Sequence, residues 1–173
     1  KPPHNIGLYM ALTGSQITGA AALWLGLGTH YVPEDCLEAL IAGTQEHGIQ
    51  ATMRLYEEPA EKLGEAPLKA QAAMLEDCFG KASPAEIMAA LATAGDFAAE
   101  VLATMNKRSP SSIQLAFDMY HYAKERDMGI KEALQLEYQV CQFLKDLDKR
   151  PLSDFYEGVR AVLIDKDHNA QWA

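Results

Sequence analysis

The chain has 173 residues, 49% of them hydrophobic, and it carries a formal net charge of −9 at neutral pH. This length suits one domain with a buried core, whereas the acidic balance argues against general binding to nucleic acids or anionic membranes, which requires a basic surface. No apolar run approaches the roughly 20 residues that a membrane-spanning helix requires.

The first part of the chain predicts two short helices and one short strand. The helices cover about residues 7–13 and 19–26, and the strand covers residues 30–32. Thr18-Gly19 is typical of a helix start, because a threonine side chain can accept a hydrogen bond from the first free backbone N–H groups.

A third helix follows Pro33 and extends to about Ala42. The charged stretch 57–66 is the best candidate for a loop between two regions. We therefore predict a boundary there, with residues 1–56 on one side and residues 57–173 on the other.

The remainder of the chain predicts helices with clear start signals. Ser83, Pro84 and Glu86 form a capping box that opens a run to Ala94, and Gly95 supplies the stop. Further helices are expected from a cap at Asp96, from Ser109-Pro110 and over residues 130–147. Their apolar positions recur at helical spacing and comprise Phe97, Val101, Leu102 and Met105, then Ile113, Phe117 and Tyr120, then Leu134, Tyr138, Cys141 and Leu144.

The last helix is expected to begin at Asp154, with Asp154 and Glu157 as a second capping box. Phe155, Val159 and Val162 recur at helical spacing and predict its buried face. Trp172 predicts a tail that packs back onto the body, since a disordered tail has little reason to carry tryptophan.

The usual catalytic and metal-binding signatures do not occur in this sequence. It contains no H-E-x-x-H, no paired C-x-x-C and no G-x-S-x-G. His121 follows Asp118 by three residues, but a polar helix face is a better interpretation than a catalytic pair. Lys107-Arg108 precedes a helix start and could hold a phosphate, although a solvated loop is the better interpretation. We predict no catalytic residue and no metal ligand within the chain.

The three cysteines are widely spaced and odd in number, which indicates a reducing compartment rather than a disulfide framework. Cys36, Cys78 and Cys141 are interpreted as small buried hydrophobic residues.

One short strand cannot form a sheet, so the protein is either all-helical or has its sheet in sequence outside this chain. The first residues are Lys-Pro-Pro-His rather than an initiator Met. We therefore expect a piece of a longer protein.

Several stretches resemble the crotonase superfamily of enoyl-CoA hydratases and isomerases. "LYMALTGSQITGAAALWLGLGTHYVP" (8–33) is similar to the passage that follows the active-site core of these enzymes. "NKRSPSSIQLAFDMYHYAK" (106–124), "ALQLEYQVCQF" (133–143) and "DFYEGVRAVLIDKDHNAQW" (154–172) resemble the C-terminal half of the 3-hydroxyisobutyryl-CoA hydrolases within that superfamily.

The resemblance implies a mostly α chain, namely the helical C-terminal part of a crotonase-like α/β fold whose β-β-α core is missing. Residues 1–56 would be the trailing segment of that core, and residues 57–173 would be the C-terminal helical region. The implied activity is CoA-thioester hydrolysis in valine breakdown. Its oxyanion hole and acidic catalytic residues would lie upstream of Lys1, and the chain alone would be inactive.

The resemblance also implies a contact with the nucleotide end of an acyl-CoA substrate. Aligned on Glu157-Gly158, Val162 occupies the position of an aromatic residue in related enzymes. Lys166 lies one place later than the lysine of the hydratases, where this chain has Asp165. No cofactor is implied beyond the CoA that the substrate carries. The implied location is the cytoplasm, or the mitochondrial matrix in a eukaryote.

Two alternatives remain open at this point. One is an enoyl-CoA hydratase or isomerase of the same superfamily. The other is a stand-alone helical interaction module that self-associates through residues 6–28. The apolar side chains of that stretch would form an exposed patch, and they are Leu8, Tyr9, Met10, Leu23, Trp24 and Leu25.

Overall fold

A computed structural model describes residues 3–146 and 154–173, and within these ranges the chain is helical and forms no β-sheet. This confirms the predicted fold class. The helices are α1 (Ile6–Thr13), α2 (Gly19–Trp24), α3 (Leu37–His47), α4 (Ile49–Tyr56), α5 (Ala72–Cys78), α6 (Pro84–Leu91), α7 (Asp96–Met105), α8 (Pro110–Glu125), α9 (Ile130–Leu144) and α10 (Asp154–Val159).

Shorter helical turns complete the architecture. Three are 3₁₀ turns, at Glu34–Cys36, Ala60–Leu63 and Pro67–Gln71, and Arg160–Ile164 is a turn of π-helix directly after α10. The predicted strand at 30–32 is reduced to a single antiparallel bridge between Tyr31 and Glu58.

The chain divides into two compact units. The first unit contains the described residues up to Met10 together with Gly14–Gly80. The second unit contains Ala11–Thr13 and the described residues from Lys81 onward.

The first unit is built from short helices that meet at small residues. Thr18 accepts a hydrogen bond from the Ala21 backbone N–H, which confirms the predicted start of α2. Helices α3 and α4 approach closely at Gly43, where an added Cβ would lie 2.8 Å from Cγ2 of the buried Thr52. The helix predicted to end near Ala42 continues to His47 because nothing interrupts the helical pattern before Gly48.

The apolar core of the first unit is well defined. Its fully buried side chains include Ile6, Leu8, Leu75 and Phe79, and the Phe79 ring lies edge-on to Tyr9 at 5.6 Å between centroids.

The second unit confirms the predicted helix starts. The Ser83 Oγ accepts from the Glu86 N–H with Pro84 in the first helical position, and the Ser109 Oγ accepts from the Ser112 N–H. One detail differs: Gly95 is the N-terminal cap of α7, so Asp96 is the first residue of that helix rather than its cap.

The stop after α6 also differs from the prediction. Helix α6 ends at Leu91 and not at Ala94, because the next residues form turns before Gly95 with φ of 101°.

The core of the second unit follows most of the predicted apolar positions. Its buried side chains include Ile87, Leu91, Val101, Met105, Ile113 and Phe117. Phe97, Leu102 and Tyr120 are half-buried.

Helix α9 leaves most of its predicted apolar stripe exposed, since none of its residues is fully buried and Leu144 is half-buried. Ile130 is 82% exposed, and Leu134 and Tyr138 are also exposed. The end of the predicted helix, residue 147, lies outside the described residues. The interpretation of the cysteines is correct for Cys78, which is buried, and wrong for Cys141, which is exposed because it belongs to this uncovered helix.

The buried Leu75 provides a test of the first core. We expect Leu75→Ala to lower the free energy of unfolding of the 173-residue chain by about 2–5 kcal/mol, because the substitution removes a fully buried side chain and leaves a cavity. Leu55→Ala is the matched control, since Leu55 is exposed on α4 and should change stability little. Urea unfolding followed by circular dichroism measures both, and equal effects would contradict the assignment of the core.

Candidate functional site

The predicted substrate-contact residues lie on the π turn and the tail that follow α10. Val162 belongs to the π turn and is 50% exposed. Lys166 is exposed, and its backbone adopts a left-handed conformation with φ of 57°. Both side chains are accessible to a ligand.

The Arg160 guanidinium organises the tail around Lys166. Its Nε and Nη2 donate to the two carboxylate oxygens of Glu157 at 2.9 and 2.8 Å. Its Nη1 donates to Asp165 at 2.6 Å and to Asp167 at 2.8 Å, and its Nη2 also reaches the Asn169 carbonyl at 3.2 Å. We call Arg160, Glu157, Asp165 and Asp167 the arginine clasp.

The charges of the clasp stabilise one another. The hydrogen bonds from Arg160 and from the Gln171 backbone N–H lower the pKa of the Glu157 carboxyl to about 2. Arg160 and the Asn169 N–H likewise lower the pKa of Asp167, and the carboxylates raise the pKa of Arg160. Each of these pKa shifts favours the charged form, so Glu157, Asp167 and Arg160 are ionised at neutral pH.

A second group of contacts fixes the start of α10. Asp154 is only 8% exposed, and its Oδ2 accepts hydrogen bonds from the hydroxyls of Ser109 and of Ser111, the latter at 2.6 Å. Its Oδ1 accepts from the Ala173 backbone N–H at 2.9 Å. Hydroxyl and amide donors offset the cost of burying a carboxylate.

The second predicted capping box is not among the described hydrogen bonds. The described hydrogen bonds of Asp154 run to the start of α8 and to the tail, and those of Glu157 run to Arg160 and to the Gln171 N–H. Both carboxylates accept hydrogen bonds from the backbone of the tail.

Trp172 packs the tail back onto the second unit, as predicted. Its indole Nε1 donates to the Lys107 carbonyl at 3.3 Å. The ring lies beside Gly158, whose added Cβ would be 3.6 Å from it. The tail thus returns to the segment that precedes α8.

The predicted buried face of the last helix is wrong. Phe155 is 49% exposed and Val162 is 50% exposed, while Val159 is half-buried and Ala161 is the buried position. The π turn explains part of the error. Its Asp165 N–H bonds to the Arg160 carbonyl five residues back, so the 3.6-residue periodicity that paired Phe155 with Val162 does not continue.

The other candidate contacts have structural roles or do not form. The Asp118 carboxylate accepts from Gln114 at 2.9 Å, and the His121 ring packs on Phe117 with 4.3 Å between centroids. Arg108 donates through Nε and Nη2 to the Thr13 carbonyl at 3.1 and 2.8 Å. The His121–Asp118 contact that was weighed against a polar helix face is not among the described contacts, and Arg108 holds a backbone carbonyl where a phosphate site was considered.

Sequence reasoning missed a cleft between α8 and α9. The cleft has a volume of about 470 Å³, with Leu115, Leu136 and Val140 among its apolar lining and Gln114 and Asp118 among its polar lining. The sequence pattern that could have predicted this cleft is a second apolar row on α9, which includes Leu136, Val140 and Phe143.

The described ranges contain no cluster of three or more histidine, cysteine or acidic side chains that could hold a metal ion. Among the described helices, none is both long enough and apolar enough to cross a membrane. Burial and the neighbouring Asp35 raise the pKa of the half-buried Cys36 thiol, so this cysteine is not activated as a nucleophile.

Comparison with known proteins assigns the whole chain to one group. A family model described as enoyl-CoA hydratase/isomerase matches residues 1–173. The mitochondrial 3-hydroxyisobutyryl-CoA hydrolase of Dictyostelium discoideum is 30% identical over 98% of this chain and 45% of its own length. The corresponding Danio rerio protein is 32% identical over 97% and 44%, and the probable 3-hydroxyisobutyryl-CoA hydrolase 2 of Arabidopsis thaliana is 33% identical over 98% and 47%.

A solved structure gives the same result for the fold. The carnitinyl-CoA dehydratase of Mycobacterium thermoresistibile superposes with a TM-score of 0.81 and is 28% identical, over 99% of this chain and 47% of that one. The chain thus spans slightly less than half the length of these relatives. The resemblance identified in the sequence is confirmed.

The lowered pKa values predict that the clasp opens only in strong acid. Because the folded-state pKa of Glu157 lies near 2 and its ordinary value is 4.5, its stabilising contribution is complete above about pH 4.5 and is lost as the pH falls towards 2. Trp172 fluorescence in a Trp24→Phe background should report the release of the tail in this interval. A transition centred above pH 4.5 would contradict the prediction, and Trp172→Phe is the control for the origin of the signal.

Proposed function

Because the chain belongs to the enoyl-CoA hydratase/isomerase family, we propose that it is the C-terminal region of an acyl-CoA thioester hydrolase that acts on 3-hydroxyisobutyryl-CoA. The observation that carries the proposal is the set of three curated relatives described above, all named as such hydrolases and 30–33% identical over 97–98% of this chain. The enzyme would act in valine breakdown, in the cytoplasm or, in a eukaryote, in the mitochondrial matrix.

In this proposal the two parts of the chain have different roles. Residues 1–56 are the trailing segment of the catalytic core, and residues 57–173 form the helical region that covers the acyl-CoA site. The substrate brings its own CoA, so no separate cofactor takes part.

The chemistry lies outside this chain. Water attacks the thioester carbonyl with the help of an acidic residue, backbone N–H groups stabilise the tetrahedral oxyanion, and its collapse releases CoA as the thiol. None of these groups is assigned to a residue of this sequence.

The Lys166 ammonium contributes to substrate binding through the nucleotide phosphates of CoA, and Val162 adds an apolar contact. The surroundings of Lys166 support this role. Both of its neighbours, Asp165 and Asp167, are bound by Arg160, so their carboxylates are engaged by another cation. The exposed lysine keeps a charge that suits a phosphate.

A second function is a dehydratase or hydratase reaction of the same family. The observation in its favour is the carnitinyl-CoA dehydratase, whose structure superposes on this chain over almost its whole length. The full-length enzyme separates the two, because a hydrolase releases a thiol from 3-hydroxyisobutyryl-CoA whereas a hydratase adds water to crotonyl-CoA without thiol release. Hydration of crotonyl-CoA in the absence of thiol release would overturn the hydrolase proposal.

The 173-residue chain should show no hydrolase activity of its own. The purified chain is incubated with 3-hydroxyisobutyryl-CoA, and free thiol is measured against a blank without substrate. The blank is needed because Cys141 is exposed and reacts with thiol reagents. Turnover above the blank would show that the catalytic groups lie within this chain.

Removal of the Lys166 ammonium should weaken binding of the CoA thioester. In the full-length hydrolase, we expect Lys166→Ala to raise KM about 3- to 10-fold with little change in kcat, because one charged hydrogen-bond donor is lost from substrate binding. Lys69→Ala is the matched control, since Lys69 is an exposed lysine of the first unit. An unchanged KM for Lys166→Ala would eliminate the contact.

A further inference from the structure

The turn that contains Lys166 is held on both sides by one guanidinium. Arg160 Nη1 donates to Asp165 and to Asp167, the two residues adjacent to Lys166 in the chain. A single cation therefore fixes the backbone before and after the lysine, while the lysine side chain itself stays exposed.

The backbone of this turn needs such support. Lys166 has φ of 57° and His168 has φ of 53°, and both lie in the left-handed region that side chains other than glycine rarely adopt. An unrestrained tail would leave this conformation, so the hydrogen bonds of the clasp offset its conformational cost.

The clasp is also fixed relative to the rest of the second unit. Glu157, which binds the guanidinium through both oxygens, belongs to α10. The first residue of α10, Asp154, is bound to Ser109 and Ser111 at the start of α8. The position of the Lys166 turn is therefore set by a continuous series of contacts that ends on a long helix.

We infer that Arg160 is a positioning residue, which preorganises the left-handed turn of Lys166 for the nucleotide end of the CoA substrate. The inference rests on the proposed function. A turn that is already ordered loses less conformational freedom when the ligand binds, which lowers the free-energy cost of binding. Arg160 itself faces three carboxylates and so acts through the turn rather than on a phosphate.

The chemistry of arginine is required for this role. Three nitrogens of Arg160 donate to three carboxylates and one backbone carbonyl, and the planar fork engages Glu157 through two parallel bonds. Lysine keeps the positive charge but offers a single ammonium, which cannot reproduce the fork. The Arg160→Lys variant should therefore no longer hold the Lys166 turn in place.

The first experiment measures order in the tail of the 173-residue chain. Amide hydrogen exchange of residues 165–169 should become at least about tenfold faster in Arg160→Met. Arg54→Met is the matched control, since Arg54 is an exposed arginine of the first unit. Asp165→Asn with Asp167→Asn serves as a second, milder variant, and unchanged exchange in both clasp variants would overturn the inference.

The second experiment separates positioning from general stability in the full-length enzyme. KM for the CoA thioester should rise about 3- to 10-fold in Arg160→Met and in Arg160→Lys, whereas KM for the corresponding pantetheine thioester, which lacks the nucleotide, should stay unchanged. Equal changes for both thioesters would show a merely structural role and would overturn the inference.

The two proposals fail in different ways. If Lys166→Ala has no effect on KM, the CoA contact of the lysine is eliminated, and with it the reason for positioning the turn. If Lys166→Ala raises KM but Arg160→Met does not, the contact stands and the positioning role of Arg160 is overturned.

Discussion

The buried carboxylate of Asp154 connects three parts of the second unit that are distant in sequence. Its donors are Ser109 and Ser111 at the start of α8 and the backbone N–H of Ala173 at the end of the tail. A carboxylate with so little exposure is stable only while these donors remain in place. This one hydrogen-bonded carboxylate sets the direction of α10, the return of the tail and the location of the arginine clasp.

The apolar surface of the chain is distributed differently from the sequence interpretation. Leu8, Tyr9 and Leu25, which were expected to form an exposed patch, are buried within the described chain. Self-association through residues 6–28 remains a prediction that loses part of its physical basis. Large exposed hydrophobic side chains occur at several places in the described chain: Ile41 and Leu55 on α3 and α4, Ile130, Leu134 and Tyr138 on α9, and Leu163 and Ile164 in the π turn. Surfaces of this kind are typical of protein contacts.

Local signals in the sequence predicted much of the fold but little of the site. Caps such as Thr18, Ser83 and Ser109 act within three residues, so their helices could be located from the sequence alone. The contact between Asp154 and Ser109 spans 45 residues and has no local pattern. The Glu157–Arg160 pair of the clasp could have been predicted from the sequence, because the two residues are spaced for an ion pair on a helix. The Asp165 and Asp167 contacts, however, depend on left-handed residues that no propensity scale anticipates.

The π turn at Arg160–Ile164 has a consequence for sequence alignment. A π turn closes over one residue more than an α turn, so it accommodates a one-residue insertion without moving the residues on either side. In the alignment on Glu157-Gly158 that the resemblance implies, such an insertion would bring Lys166 rather than Asp165 into register with the expected lysine.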